Sequence, residues 1–449
     1  MKKYGACLIV VGILSIVNIG RAGEDLETYE NLRLKTSLQE QEIRFLRREN
    51  EDLKQELKEY RLKEKVQHLQ EEVSHIRGLP IKKPLQTDFI KKEELKDYVD
   101  REIKRQYPGK NLASYQEVLI RLGLLPPGTD IRKRLIALFQ EQAAGFYDDV
   151  SEKFFIVEEF DLNETVSNII LSHEICHALQ DQNYDLQSMN LFRQDNDDKV
   201  YALLSVLEGD ATILMSEWLK DNFRLGSVFH MFETLGIDQS TYTNAPYFLQ
   251  QLLIFPYIQG SRFLMEVMGR HGMAGRDLPF KVPPHSTEQI IHPEKYLYHI
   301  DLPTTVSLST YAFRLGKEWK KEYENTLGEM GFKFLFEQYQ DMAESYQGAA
   351  GWDGDRYGLF RRQSGHFLIC WESVWDTLDD AEEASMALKQ VFRNRYRITG
   401  EMSGEQGWQV ECREPKGGEE AFYLSLSRSH KNLTLRFTND PFVLDHLAK

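Results

Sequence analysis

The spacing of apolar positions changes character several times along the chain. From Glu24 to Arg77 there is no Pro or Gly, and Ile43, Leu46, Asn50, Leu53, Leu57 and Tyr60 recur in alternating steps of three and four. After a slip, Leu62, Val66, Leu69, Val73 and Ile76 resume the alternation. That spacing predicts a coiled coil over 23–78, and the polar Asn50 at an a position favours a homodimer in fixed register. Gly78, Pro80 and Pro84 then break the helix and serve as a linker.

Beyond the linker the pattern is mixed. Residues 87–142 read as mostly helical: one helix ends at Pro126-Pro127-Gly128 and another covers 131–142. Phe146-Tyr147-Asp148 leads through a turn into the strand-like run Lys153-Phe154-Phe155-Ile156-Val157. A helical face follows through Val166, Ile169, Ile170 and His173, with Asn163 or Thr165 as its cap. Residues 183–198 are polar and form a rim loop, 201–218 are apolar at helical spacing, and Phe255-Pro256-Tyr257 precedes a helix over 261–269. Tyr257 reads most simply as a core or interface aromatic. Residues 283–296 lack helical period and read as a structured loop. Near the C-terminus strands are expected at 356–360, 366–372, 408–412, 421–427 and 433–437, with a covering helix at 379–393. The fold class is therefore α+β, a mainly helical catalytic domain over 79–300 followed by an α+β subdomain over 301–449.

Composition narrows the function classes. The 449 residues are 41% hydrophobic and 28% charged, enough to bury a large core, and the net charge of −15 argues against a nucleic-acid partner. No phosphate-binding glycine loop, G-x-S-x-G elbow or internal repeat is present. Lys2 and Lys3, the apolar stretch 6–20 and Gly20-Arg21-Ala22 read as a signal peptide over 1–22, cleaved before Gly23, or else retained as a membrane tether. The mature chain is thus expected outside the cytoplasm, periplasmic or secreted. Of its cysteines, Cys370 and Cys412 could form a disulfide, leaving Cys176 as a small buried hydrophobe.

The candidate chemistry lies in His173-Glu174-Ile175-Cys176-His177. Two histidines at i and i+4 project from one helix face and can converge on one zinc ion, while Glu174 is placed to act as general base on a water. The apolar run Ile169-Ile170-Leu171 just before the motif sets it in a packed helix, where surface histidines rarely occur. About thirty residues on, Glu208 sits among Leu203, Leu204, Leu207 and Ile213. A carboxylate buried there is costly unless paired or bound to a cation, so Glu208 is the candidate third ligand. Gly209 beside it permits another backbone to approach closely, and Asp210 is a candidate to orient a histidine. In the 283–296 loop, His292 or Tyr296 could donate a hydrogen bond to a tetrahedral oxyanion, with His292 preferred; Glu288 could hold Lys295.

These segments resemble the gluzincin class of zinc metallopeptidases and, more closely, a group of uncharacterised exported bacterial metallopeptidases. The likeness is carried by Ala144-Gly145-Phe146-Tyr147-Asp148, the run from His173 to Gln182, Glu208-Gly209-Asp210-Ala211, the run from Ser286 to Tyr296, Gly351-Trp352-Asp353-Gly354-Asp355-Arg356 and Trp375-Asp376. The resemblance covers roughly 85–387. It implies a zincin-like catalytic domain, zinc bound by His173, His177 and Glu208, Glu174 as general base, and a peptide or protein substrate. Many gluzincins carry an acidic residue four positions after the ligand glutamate, and Thr212 stands there in this chain. Two alternatives come from other classes: an inactive zinc-fold scaffold assembled through its coiled coil, and a zinc amidase acting on cell-wall material.

Overall fold

The computed structural model describes residues 24–107, 111–142, 145–157, 164–189, 195–218, 240–298, 301–404, 407–415 and 420–448. The expected signal segment, the Asn163 cap and Ala144 lie outside the described residues. No helix among the described residues is long and apolar enough to cross a membrane.

The chain divides into two compact units, one ending at Glu64 and the other running Lys65–Lys449. Helix α1 (Glu24–Arg77) contributes to both. Its first part is solvent-exposed along the expected seam, whereas Val66, Leu69 and Val73 are buried within the second unit. The second half of the predicted coiled coil is therefore intramolecular packing. The physical reason is the linker: Gln70 donates to the Lys83 carbonyl (3.3 Å) and accepts from the Leu85 amide (3.2 Å), folding 79–85 back against the helix.

Helices α2 (Lys92–Gln106), α3 (Asn111–Leu122) and α4 (Ile131–Gln142) follow, but the segment expected to be helical starts with a strand, β1 (Gln86–Ile90). It pairs in parallel with β3 (Lys153–Val157), which pairs antiparallel with β2 (Gly145–Asp148), giving the order β1-β3-β2. Helix α5 (Glu164–Tyr184) packs on β2 and beside α6 (Asp197–Trp218). Helix α7 (Tyr247–His271) starts earlier than expected and passes through Pro256, whose missing amide costs one helical hydrogen bond. The loop expected at 283–296 contains two short helices: α8 (Thr287–Ile291), capped by the Ser286 hydroxyl, and a turn at Glu294–Leu297.

The C-terminal part is a seven-stranded sheet in the order β4-β5-β6-β10-β9-β8-β7, antiparallel throughout. The strands are β4 (Trp319–Asn325), β5 (Trp352–Arg362), β6 (Phe367–Trp375), β7 (Arg397–Gly404), β8 (Gly407–Arg413), β9 (Phe422–Ser429) and β10 (Asn432–Thr438). Edge strands β4 and β7 were not expected from the sequence. Helix α9 (Gly328–Glu337) and helix α10 (Leu378–Arg395) pack with the sheet. The α+β class holds, but residue 300 is not a boundary in three dimensions. One hydrophobic core runs from Val118 and Leu119 through Val206 and Phe263 to Phe332, Trp371 and Leu435. Asp355 ties the sheet to α9 by accepting from the amides of Leu327 (3.0 Å) and Gly328 (2.9 Å) and from the indoles of Trp352 and Trp371. Arg356 reaches the Asp195 carbonyl, just before α6.

Cys176, Cys370 and Cys412 are all buried free thiols. Cys370 lies on β6 and Cys412 on β8, with β10 and β9 between them. Three strand spacings of about 4.8 Å each exceed the roughly 7 Å that a disulfide can span between Cα atoms, so the disulfide that the sequence left open does not form.

Candidate metal centre

Helix α5 carries the motif because Ile169, Leu171, Ile175, Cys176, Ala178 and Leu179 are buried, leaving the His173–His177 face turned toward α6. There the two rings meet edge to face with Nε2 atoms 3.1 Å apart, and Glu208 Oε2 stands 3.1 Å from His173 Nε2 and 3.4 Å from His177 Nε2. One donor atom from each of His173, His177 and Glu208 falls within 4.8 Å of the others. Two nitrogens each roughly 2.0–2.1 Å from a tetrahedral zinc stand about 3.3 Å apart, so the spacing fits such an ion.

The outer ring nitrogens decide which inner ones are free. His177 Nδ1 is 2.9 Å from Gln180 Oε1, and Gln180 Nε2 donates to Asp210 Oδ2 (2.9 Å) and to the Leu207 carbonyl (3.1 Å). The amide nitrogen is thus committed as donor, Oε1 must accept, and His177 carries its proton on Nδ1. His173 Nδ1 faces the weak acceptor Met215 Sδ at 3.1 Å, while its Nε2 stands 3.1 Å from the Glu208 carboxylate. With both rings neutral and protonated at Nδ1, two Nε2 atoms and a carboxylate oxygen would converge as acceptors, an arrangement that a metal ion, or a proton in its place, resolves. Burial lowers the His177 imidazole, but Glu208 and Glu174 outweigh it and carry it up to about 9. Burial likewise opposes ionisation of Glu208, yet the two histidines hold it well below the usual carboxylate range.

Asp210 acts on His177 only through Gln180. Its carboxylate is buried between Arg77, whose Nε lies 2.7 Å away, and Arg276, which also bonds Glu217 (2.7 Å). Arg77 is the last residue of α1, so the end of that helix is fastened to the centre. Thr212 donates to the Glu208 carbonyl at 2.6 Å and takes no part in orienting a ligand.

Glu174 sits beside the triad. Its Oε2 accepts from the Tyr147 amide at 2.9 Å, which fixes the carboxylate against the edge strand β2. Tyr147 in turn donates its hydroxyl to Asp181 at 2.7 Å. Burial pushes the Glu174 carboxyl up, opposed by His173 and His177.

His292 is not brought to this centre. Its ring contacts run to Glu329 (2.8 Å), Glu294 (3.7 Å) and Tyr346, because α8 packs against α9 rather than opening toward α5. Tyr296 donates to the Val282 carbonyl at 2.7 Å and is also spent. The residue missed in the sequence is Tyr257. Its ring lies nearly parallel to that of His173, 5.8 Å between centroids, with its hydroxyl within the influence of the Glu208 and Glu174 carboxylates. Burial and the Glu208 and Glu174 carboxylates push the phenol well up, so it stays a donor at neutral pH. The phenol is placed by a helix crossing: a Cβ at Gly260 would overlap the Ser205 carbonyl and one at Gly209 would overlap Gly260, so α6 and α7 touch backbone to backbone. The sequence contained a signal, a tyrosine one turn before a glycine, but no indication of which helix that glycine meets.

Residues 315–447 match a domain of unknown function (DUF8575). No curated protein and no solved structure matches the chain. The matched segment spans β4 to β10, whereas the candidate metal centre is built from residues 147–257. A second carboxylate cluster, Glu288, Asp301 and Asp376, surrounds Lys295 Nζ at 2.5, 3.1 and 2.6 Å. The ammonium occupies the place a metal would take, and the pairing of Glu288 with Lys295 is as the sequence allowed.

Proposed function

We propose that the chain is a zinc-dependent metallopeptidase of the gluzincin type, with a zincin-like catalytic half, acting on peptide or protein substrates outside the cytoplasm. The observation that carries the reading is the convergence of His173, His177 and Glu208 within 4.8 Å with the Glu174 carboxylate beside them. Export rests on the Lys2–Ala22 segment of the sequence alone.

His173, His177 and Glu208 would hold the ion. When bound, zinc supplies the Lewis acidity that polarises a carbonyl and acidifies water. Glu174, whose carboxyl is raised by burial and aimed by the Tyr147 amide, takes the proton of the attacking water and passes it to the leaving amine. Tyr257, the protonated phenol of the site, is the donor placed to stabilise the developing oxyanion. The edge strand β2 gives an extended peptide a backbone to lie along, which favours a peptide over other amides.

The test is Glu174→Gln in the full chain. Expected is about one zinc per chain in both proteins, cleavage of an unfolded protein by the wild type, and a loss of about 10²–10⁴-fold in the variant. A wild type that takes up no zinc, or a variant that cleaves as the wild type does, overturns the reading. A wild type that binds zinc and cleaves only peptidoglycan moves it to the amidase class.

A further inference from the structure

The first unit of the chain consists, in its described part, of the exposed stretch of α1 up to Glu64. Ile43, Leu46, Leu53, Leu57 and Tyr60 are 45–60% exposed there, all on one helical stripe with Asn50. A stripe of large apolar groups at a/d spacing has no packing role in a single chain. The buried positions Val66, Leu69 and Val73 belong to a shifted register, two residues out of step with Ile43–Tyr60. The slip in the heptads is thus the change of partner: below it the helix packs on its own chain, and above it the stripe is left open.

We propose that this stripe is occupied by a second copy of the same chain, in a parallel and in-register two-stranded coiled coil over about residues 43–60. The occupant follows from the charges flanking the seam. With Ile43 at a, the g positions are Glu42, Glu49 and Glu56, and the e positions are Arg47, Lys54 and Arg61. In a parallel dimer each g residue faces the e residue five further along the other copy, which sets Glu42 against Arg47, Glu49 against Lys54 and Glu56 against Arg61. All three pairs are opposite in sign. An antiparallel dimer would oppose glutamate to glutamate and cation to cation. Asn50 meets its own counterpart across the axis, which penalises every shifted register and every larger assembly. The sequence pattern alone suggested a dimer over 23–78; the structure leaves for it the part of the helix that the described residues do not cover.

The experiment is sedimentation equilibrium on the full chain at micromolar concentration. The wild type is expected at twice the chain mass of 52.5 kDa. Arg47→Glu/Lys54→Glu/Arg61→Glu places only acids along the seam and is expected to be monomeric, as is Glu42→Lys/Glu49→Lys/Glu56→Lys with only bases. Mixed one to one, the two variants are expected to recover the dimer mass. Asn50→Cys is expected to form an interchain disulfide on mild oxidation, since the two a positions face each other only in the parallel register. A monomeric wild type overturns the proposal, and so does an acidic variant that remains dimeric. A dimeric Asn50→Cys chain that does not cross-link overturns the parallel orientation. None of these outcomes depends on whether the chain is a peptidase.

Discussion

Gln180 joins His177 to Asp210: its Oε1 accepts from the imidazole at 2.9 Å and its Nε2 donates to the carboxylate at 2.9 Å. The aspartate is fixed by Arg77 and Arg276, so the His177 ring inherits its orientation from the end of α1 and from the segment after α7. In place of a carboxylate directly on the histidine, this centre inserts an amide.

Gln180→Leu should therefore weaken zinc binding by about 10–100-fold, the usual cost of removing a group that orients a ligand histidine. Competition with a chromophoric chelator measures it. Asp210 is the wrong residue to change, because its loss would take from two buried guanidinium groups a shared carboxylate, leaving Arg77 with Asp277 alone and Arg276 with Glu217 alone, and so disturb more than the histidine. Unchanged affinity in Gln180→Leu would mean that His177 is held by packing alone.

Tyr257→Phe isolates the phenol hydroxyl. The ring against His173 is kept and the donor is removed, so metal affinity and KM should stay within a few-fold while kcat falls by about 10²–10³-fold, the effect of deleting one oxyanion donor. Steady-state kinetics beside metal content separates the two. An unaltered kcat would leave Tyr257 as a packing residue.

The glycine crossing makes a structural prediction. Gly260→Ala places a methyl group where the Ser205 carbonyl stands, and both partners are helix backbone that cannot give way locally. The cost is expected to exceed about 3 kcal/mol, read as a fall in chemical-denaturation midpoint. Gly269→Ala, where nothing stands near the added carbon, should stabilise or leave α7 unchanged.

These cases show what was legible and what was not. The pairing of His173 with His177 could be read because the two lie one helical turn apart, and the approach of Glu208 to them because a carboxylate in an apolar run needs a reason. Helix 131–142 and strand 153–157 were read at the bounds observed, and the close approach at Gly209 was anticipated. What escaped depends on partners distant in sequence. Gln86–Ile90 is a strand only because β3 lies beside it, and Tyr257 reaches the site only because α6 and α7 cross at two glycines. The disulfide state of Cys370 and Cys412 could not be read because cysteine spacing says nothing of strand order.

The last prediction concerns His292, preferred from the sequence as a catalytic donor and found against a buried carboxylate. Burial lowers this imidazole, but the hydrogen bond and charge of Glu329, with Glu294 beyond it, raise it overall, against a smaller opposing effect of Lys295. A histidine with a folded pKa above its unfolded value stabilises fully below about 6.5, and that contribution is lost as pH rises through the folded pKa. His292→Gln should thus lower the melting temperature relative to wild type more at pH 6 than at pH 9. One oxygen of Glu329 already lacks a hydrogen-bond partner, so removing the imidazole leaves the carboxylate poorly satisfied, at a cost of about 1–3 kcal/mol. Activity per folded, zinc-loaded molecule should hardly change, because the ring bonds to Glu329 and lies against Tyr346, not against Glu174 or Tyr257. A variant that folds and melts like wild type at both pH values yet has lost turnover would return His292 to the catalytic role.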